Sequence, residues 1–309
     1  MNSKVKLGLA LAAMVAGGLV TSAQEQRPTF HAGTSRVSLN VVVKDGQGRP
    51  ITNLAPRDFE VFDNDRPVAL DDIGAAEESV SIAILIDTSG SMALGPRLAD
   101  AKQAVGMLLD QYKPIDEAAL LTFDTRLHHV VPFTKDHDEV RRGFDMVKPY
   151  GATSLHDAVA AAAKELADRP SPRRAVVAVT DGIDNASELS AVAASAVASS
   201  IDVPIYVLAV AGPNRKLDPS EVALEPVEGG NVARLDDLTA RTGGLAFTTQ
   251  APAETHLAAR HILNDLRAGY LLGFTPSETP GWHRLTVKVS RKDARVRTRA
   301  GFWIGTRPF

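Results

Sequence analysis

The stretch Ser79-Val80-Ser81-Ile82-Ala83-Ile84-Leu85-Ile86-Asp87-Thr88-Ser89-Gly90-Ser91 decides how this chain folds. Its apolar centre reads as a strand covered on both faces, the pattern of a parallel sheet with helices above and below it. The run then breaks into Asp87 and two serines around Gly90, polar groups at a strand's carboxyl end, where open α/β sheets place ligands. Gly90 is read as permitting a tight backbone path between the serines. A second apolar run, Ala175-Val176-Val177-Ala178-Val179-Thr180, ends in the same way, at Asp181.

Outward from these two runs, strand-like and helical periods alternate. The predicted spans are 82–86, 97–112, 118–123, 136–147, 154–167, 175–179, 188–199, 203–210 and 232–242. Such alternation predicts a doubly wound, mostly parallel sheet. Leu155, Val159, Ala162, Ala163 and Leu166 recur at three- and four-residue spacing, so one face of their helix packs inward. Residues 126–133 are expected to form an antiparallel edge strand after a turn at Asp124-Thr125.

The flanks read differently. Residues 36–43 and 59–62 are strand-like, each followed by a turn rich in Asp and Gly or Asn. After a helix to about Arg267, Tyr270–Phe274, residues 281–289 and residues 295–304 return to β periodicity. Either set of strands alone is too short to bury two sheet faces. Together they predict a small β-sandwich into which the α/β domain is inserted. The expected organisation is a signal peptide over 1–23, an N-terminal β segment over 24–78, the α/β domain over 79–252, and a C-terminal helix and β segment over 253–309 that pairs with 24–78.

The chain has 309 residues, 44% of them hydrophobic and 23% charged, which is ordinary for a folded protein. A formal net charge of -3 gives no broad field for nucleic acid or anionic membrane. The arginines near the C-terminus, Arg291, Arg295, Arg297 and Arg299, read as the solvated face of a strand, since no aromatic stacking platform is interleaved with them. The sequence has no cysteine, which excludes disulfides, thiol catalysis and a lipid-modified N-terminal cysteine. Lys4 and Lys6, an apolar stretch from Leu7 to Val20, and Thr21-Ser22-Ala23 make the tripartite pattern of a secretory signal. The stretch falls short of the roughly twenty residues that a bilayer span needs. The mature chain is therefore expected to lack a membrane span and to be periplasmic or secreted.

Asp87, Ser89, Ser91, Thr153 and Asp181 are the candidate metal residues. All five offer oxygen, which suits Mg²⁺, Mn²⁺ or Ca²⁺ rather than Zn²⁺ or Cu²⁺. Neutral hydroxyls neutralise a cation less than carboxylates do, and leave it electrophilic and one ligand short. An external carboxylate would complete the octahedron. Asp124 and Asp184, close by in sequence, could orient waters around such an ion, although Asp at these places also caps turns. His128-His129 points to opposite faces of a strand and reads as a solvated edge. Trp282 and Trp303 read as core of the sandwich rather than as a sugar platform.

Asp87-x-Ser89-x-Ser91, with Thr153 and Asp181 at matching places in the alternation, resembles the metal-ion-dependent adhesion site of von Willebrand factor A domains. The resemblance covers roughly residues 79–250. It implies direct contact of Ser89, Ser91 and Thr153 with the ion, and contact through water for Asp87 and Asp181. Val41–Pro50, Asp58–Phe62 and Gly301-Phe302-Trp303 further resemble an exported bacterial subfamily abundant among acidobacteria.

The function expected on these grounds is divalent-cation-dependent binding of a protein partner, in adhesion or assembly. An enzyme would need a nucleophile with a base, or an acid/base pair. Ser89 stands in no nucleophile elbow, Ser89 and Ser91 have no nearby histidine, and the loop lacks the lysine of a phosphate-binding loop. A hydrolase is thus disfavoured. The other alternative is a structural scaffold of the envelope with a non-essential metal site.

Overall fold

The computed structural model describes residues 36–74, 79–182, 184–210, 231–249 and 252–305. The export signal expected over 1–23 lies outside the described residues. The first strands are β1 (Val37–Lys44), β2 (Phe59–Asp63), β3 (Arg66–Val68) and β4 (Leu70–Gly74). The alternating part follows as β5 (Val80–Asp87), α1 (Arg97–Leu109), β6 (Glu117–Phe123), β7 (Leu127–Thr134) and α2 (His137–Phe144). It continues through α3 (Leu155–Leu166), β8 (Arg173–Thr180), α4 (Ala191–Ser200) and β9 (Ile205–Val210). It closes with α5 (Asn231–Ala240), β10 (Ala246–Thr249) and α6 (Pro252–Ala268). The last strands are β11 (Tyr270–Phe274), β12 (Gly281–Val289), β13 (Arg295–Arg297) and β14 (Gly301–Ile304).

A six-stranded sheet in the order β10-β9-β8-β5-β6-β7 carries the α/β part. All its pairings are parallel except β6 with β7, which the short turn at Asp124 folds back as an antiparallel edge. Every residue of β5 is buried. Ile82, Ile84 and Ile86 face one layer with Ala104 and Leu108 of α1 and Ile262 of α6. Ala83 and Leu85 face the other with Val159 and Ala163 of α3 and Val197 of α4. Covering each Ile or Leu side chain in this way stabilises the fold by about 1.5–3 kcal/mol. Helix starts are specified locally: Asp136 accepts the N–H groups of Asp138 and Glu139 at α2, and Ser190 accepts that of Ala193 at α4.

The terminal strands form two antiparallel four-stranded sheets, β13-β1-β11-β4 and β14-β12-β2-β3. Leu39, Val41, Tyr270 and Phe274 of the first share a core with Phe59, Val61, Leu285, Val287 and Phe302 of the second. Here the parity of β12 differs from the sequence expectation. His283, Leu285 and Val287 point inward, His283 bonding Asp63 through Nδ1 at 2.7 Å. Strand alternation therefore turns Trp282 outward, 36% exposed, opposite Trp303 in register. The tryptophans are not the sandwich core.

The seam between sandwich and α/β sheet is polar and buried. Helix α6, read from sequence as the opening of the C-terminal segment, packs on the α/β sheet through Ala259, Ile262, Leu263 and Leu266. Its Asp265 meets Arg297 of β13, while Lys44 of β1 lies 2.7 Å from Oδ1. Asp202, before β9, accepts the Asn40 amide of β1 at 2.7 Å and faces Arg299. The fully buried Arg173 at the start of β8 donates to the carbonyls of Leu266 (2.5 Å) and Gly269 (3.0 Å) at the end of α6. That contact places a cation at the helix's negative end. Arg297 and Arg299 are thus not the solvated face that their alternation suggested. They fill the seam, a long-range burial that local periodicity does not register.

Candidate functional site

Strands β5 and β8 lie side by side and parallel, with Ile86 beside Val179. The chain leaves β5 through α1 toward β6 on one side, and leaves β8 through α4 toward β9 on the other. This divergence opens a crevice at the carboxyl edge, the place where open α/β sheets bind ligands. Asp87 and Asp181 stand on its two sides.

Asp87 is fully buried. Its Oδ1 accepts the Ser89 N–H at 2.8 Å and its Oδ2 accepts the Thr180 hydroxyl at 2.6 Å. Burial pushes the carboxyl above its ordinary value, the Thr180 and Ser89 hydrogen bonds oppose this, and the charge of nearby Asp181 adds to the rise. Ser89 and Ser91 bring their Oγ atoms within 3.0 Å of each other. Ser91 is half-buried and Ser89 almost wholly covered. Asp181 is also buried; its Oδ2 accepts from Arg97 Nη1 at 2.9 Å, whereas its Oδ1 has no hydrogen-bond partner among the described residues.

Thr153 precedes α3, and its loop is sewn to both neighbours. The Thr153 N–H donates to Asn185 Oδ1 at 2.9 Å, and its carbonyl accepts from the N–H groups of Asn185 and Ala186, both at 3.0 Å. The Gly90 N–H donates to the Gly151 carbonyl at 2.9 Å, and the Tyr150 N–H to that of Thr88 at 2.5 Å. The loops after β5, before α3 and after β8 thereby come together. The glycine that this arrangement requires is Gly151, at φ 97°, where a Cβ would stand 3.1 Å from Asp124 Cβ. At Gly90 a Cβ would meet only the Gly151 carbonyl at 3.6 Å, so the tight path expected there is not what keeps the glycine.

Asp124 caps the β6–β7 turn through the Arg126 N–H and sits against Gly151. Asp184 accepts the His156 N–H at the start of α3, at 3.0 Å, and the Ser187 hydroxyl at 2.7 Å. Both hold the loops that surround the crevice. His128 and His129 are exposed and pair with Asp124 and Glu165. Among the described residues no three Asp, Glu, His or Cys converge as a metal cage. The donor set is two carboxylates and several hydroxyls, with one buried carboxylate oxygen unpaired; such a set fits a hard divalent cation better than any soft one.

Three contributors escaped the sequence reading: Thr180, Asn185 and Arg97. Thr180 was visible as the polar residue that ends the apolar run Ala175–Val179. Arg97 left a subtler sign, a basic residue in the first turn of a helix, where the macrodipole is unfavourable.

Residues 82–183 match the family model of the von Willebrand factor type A domain. Among solved structures the chain is similar to a von Willebrand factor type A protein from Catenulispora acidiphila, at 14% identity over 89% of this chain and 75% of that one, with a TM-score of 0.50. It is similar as well to BatB from Bacteroides thetaiotaomicron, at 21% identity over 60% of this chain and 98% of that one, with a TM-score of 0.49. The vWF domain of the type V pili tip protein Mfa5 from Porphyromonas gingivalis aligns at 12% identity over 62% of this chain and 95% of that one, with a TM-score of 0.46. No curated protein matches. At such identities the structural likeness is one of fold. Residues 82–183 thus match a von Willebrand factor type A domain, carried on the α/β sheet described above.

Proposed function

We propose that this is an exported protein-binding module whose grip depends on a divalent cation. In this reading Asp87, Ser89, Ser91, Thr153 and Asp181 hold Mg²⁺, or Mn²⁺ or Ca²⁺ in its place, with Asp124 and Asp184 supporting their loops. An acidic residue of a protein partner completes the coordination. The observation that carries the reading is the buried Oδ1 of Asp181, unpaired among the described residues, beside a buried Asp87 that has no cationic partner among them and a pair of serine hydroxyls. A buried carboxylate oxygen without a donor is costly unless something absent from the chain satisfies it. When bound, the ion would supply positive charge to a site that has few carboxylates of its own.

The surroundings support a protein partner. Leu94, in the turn after Ser91, is 61% exposed, and Tyr150, bonded to Thr88 through its backbone, is 81% exposed. Exposed apolar side chains beside the serine loop offer the contact area that a lone carboxylate lacks. No described helix is long and apolar enough to cross a membrane. The reading assigns no bond-making step to the site.

Calorimetric titration of Mg²⁺ and Mn²⁺ into the purified protein, beside Asp87→Ala, tests the site. Heat of binding in the wild type and none in the variant is expected; silence in both would remove the cation. For the partner, capture from envelope extract is expected to fail in chelator and with Asp87→Ala. A partner held equally in chelator would favour the scaffold alternative.

A further inference from the structure

Arg97 opens α1, where a helix N-terminus repels positive charge. It is nevertheless largely covered, with its side chain 20% exposed. A single nitrogen, Nη1, donates to the Ser91 carbonyl and to Asp181 Oδ2, both at 2.9 Å. Its Nε is buried and has no hydrogen-bond partner among the described residues. The guanidinium therefore ties the serine loop to the loop after β8, and occupies one oxygen of Asp181 while the other stays unpaired.

We propose that Arg97 is the site's own counter-cation: it neutralises Asp181 while no ion is bound, and an entering divalent cation works against it. This rests on the reading of the crevice as a cation site. In the absence of an ion, two carboxylates and one guanidinium leave the crevice with a net charge of about -1. A divalent ion brings it to +1, so the loaded site still attracts an external carboxylate. Without Arg97 the loaded sum is 0, from -2 and +2. Arg97 thus trades affinity for the ion against attraction for the partner's acid. A unit charge and a double charge about 5 Å apart repel enough, even with water-like screening, to change affinity roughly tenfold.

The test is Arg97→Gln in the purified protein, read by calorimetry with Mg²⁺ and Mn²⁺ and by thermal unfolding in chelator. The expected result has opposite signs: roughly tenfold tighter ion binding with a lower melting temperature in chelator, because the two carboxylates then face each other uncompensated. A purely structural arginine would lower both. Equal or weaker ion binding in the variant, with binding in the wild type, overturns the role of Arg97 and leaves the cation site standing. Binding in the variant alone supports the proposal in its strongest form. No binding in either protein overturns the cation site and the proposal with it. Should Arg97→Gln fail to fold, the wild type answers by NMR: exchange of the Arg97 Nε–H with water is expected to quicken as Mg²⁺ is added, and an unchanged rate overturns the proposal.

Discussion

At the seam between sandwich and α/β sheet, Asp265 is enclosed by Arg297, Lys44 and His261, whereas at the carboxyl rim Asp87 lies equally deep with, among the described residues, only hydroxyl and amide donors around it. Burial raises both carboxyls. At Asp265 His261, Arg297 and Lys44 outweigh burial and hold the group well below the usual carboxylate range; at Asp87 burial prevails, with the charge of Asp181 adding to it. The two regions use similar side chains to opposite ends. A buried charge with its partner inside the chain cements the fold, and a buried charge without one leaves room for a ligand.

Substitutions can perturb each region separately. Asp265→Ala is expected to have the largest effect, since it strands Arg297 and Lys44; a loss of about 3–5 kcal/mol in urea unfolding is predicted, unchanged by Mg²⁺. A loss below about 1 kcal/mol would mean that the seam is not what holds the two parts together. Asp87→Asn keeps the shape of the rim and removes its charge. Mg²⁺ affinity should fall on the order of 100-fold in calorimetry, while stability in chelator moves by no more than about 1 kcal/mol. Gly151→Ala probes the loop that closes the crevice. It forces a side chain into a left-handed conformation against Asp124 and should cost about 1–2 kcal/mol in unfolding, with weaker ion binding.

The smallest effect is a pH dependence. Because the folded value of Asp265 is depressed, its contribution is present above the ordinary carboxylate pKa and is lost as the pH falls toward the folded value. Between about pH 5 and pH 3.5 this group should remove about 1 kcal/mol or less. The acid limb of a stability profile is expected to be shallower in Asp265→Asn, and an identical slope would contradict the assignment.

Much of the α/β part was legible from local pattern. The buried run Val80–Ile86, the run Ala175–Val179 and the edge strand after Asp124 announced the sheet, and Asp87 and Asp181 marked its carboxyl rim. What local pattern lacks is knowledge of coverage. Arg297 and Arg299 alternate as surface residues do, and only the distant partners Asp265 and Asp202 make them interior. Trp282 and His283 exchange the places that their hydrophobicity suggests, because strand parity and the buried Asp63 draw the histidine inward. Arg97 only opens a helical period in the sequence until Asp181, 84 residues away, is brought beside it.

One strand joins the two regions. Strand β5 begins at Val80, just beyond the sandwich, and ends at Asp87 in the rim, so its eight residues run about 25 Å from one to the other. It is flanked along its length by parallel β6 and β8. The seam contacts gather at the opposite end of the sheet, around Arg173 and Asp202. A partner pulling at the serine loop would thus load β5 lengthwise, with the hydrogen bonds on both sides stretched together in shear rather than opened one at a time. Strand β5 would then act as a tension member between the seam end of the sheet and the crevice.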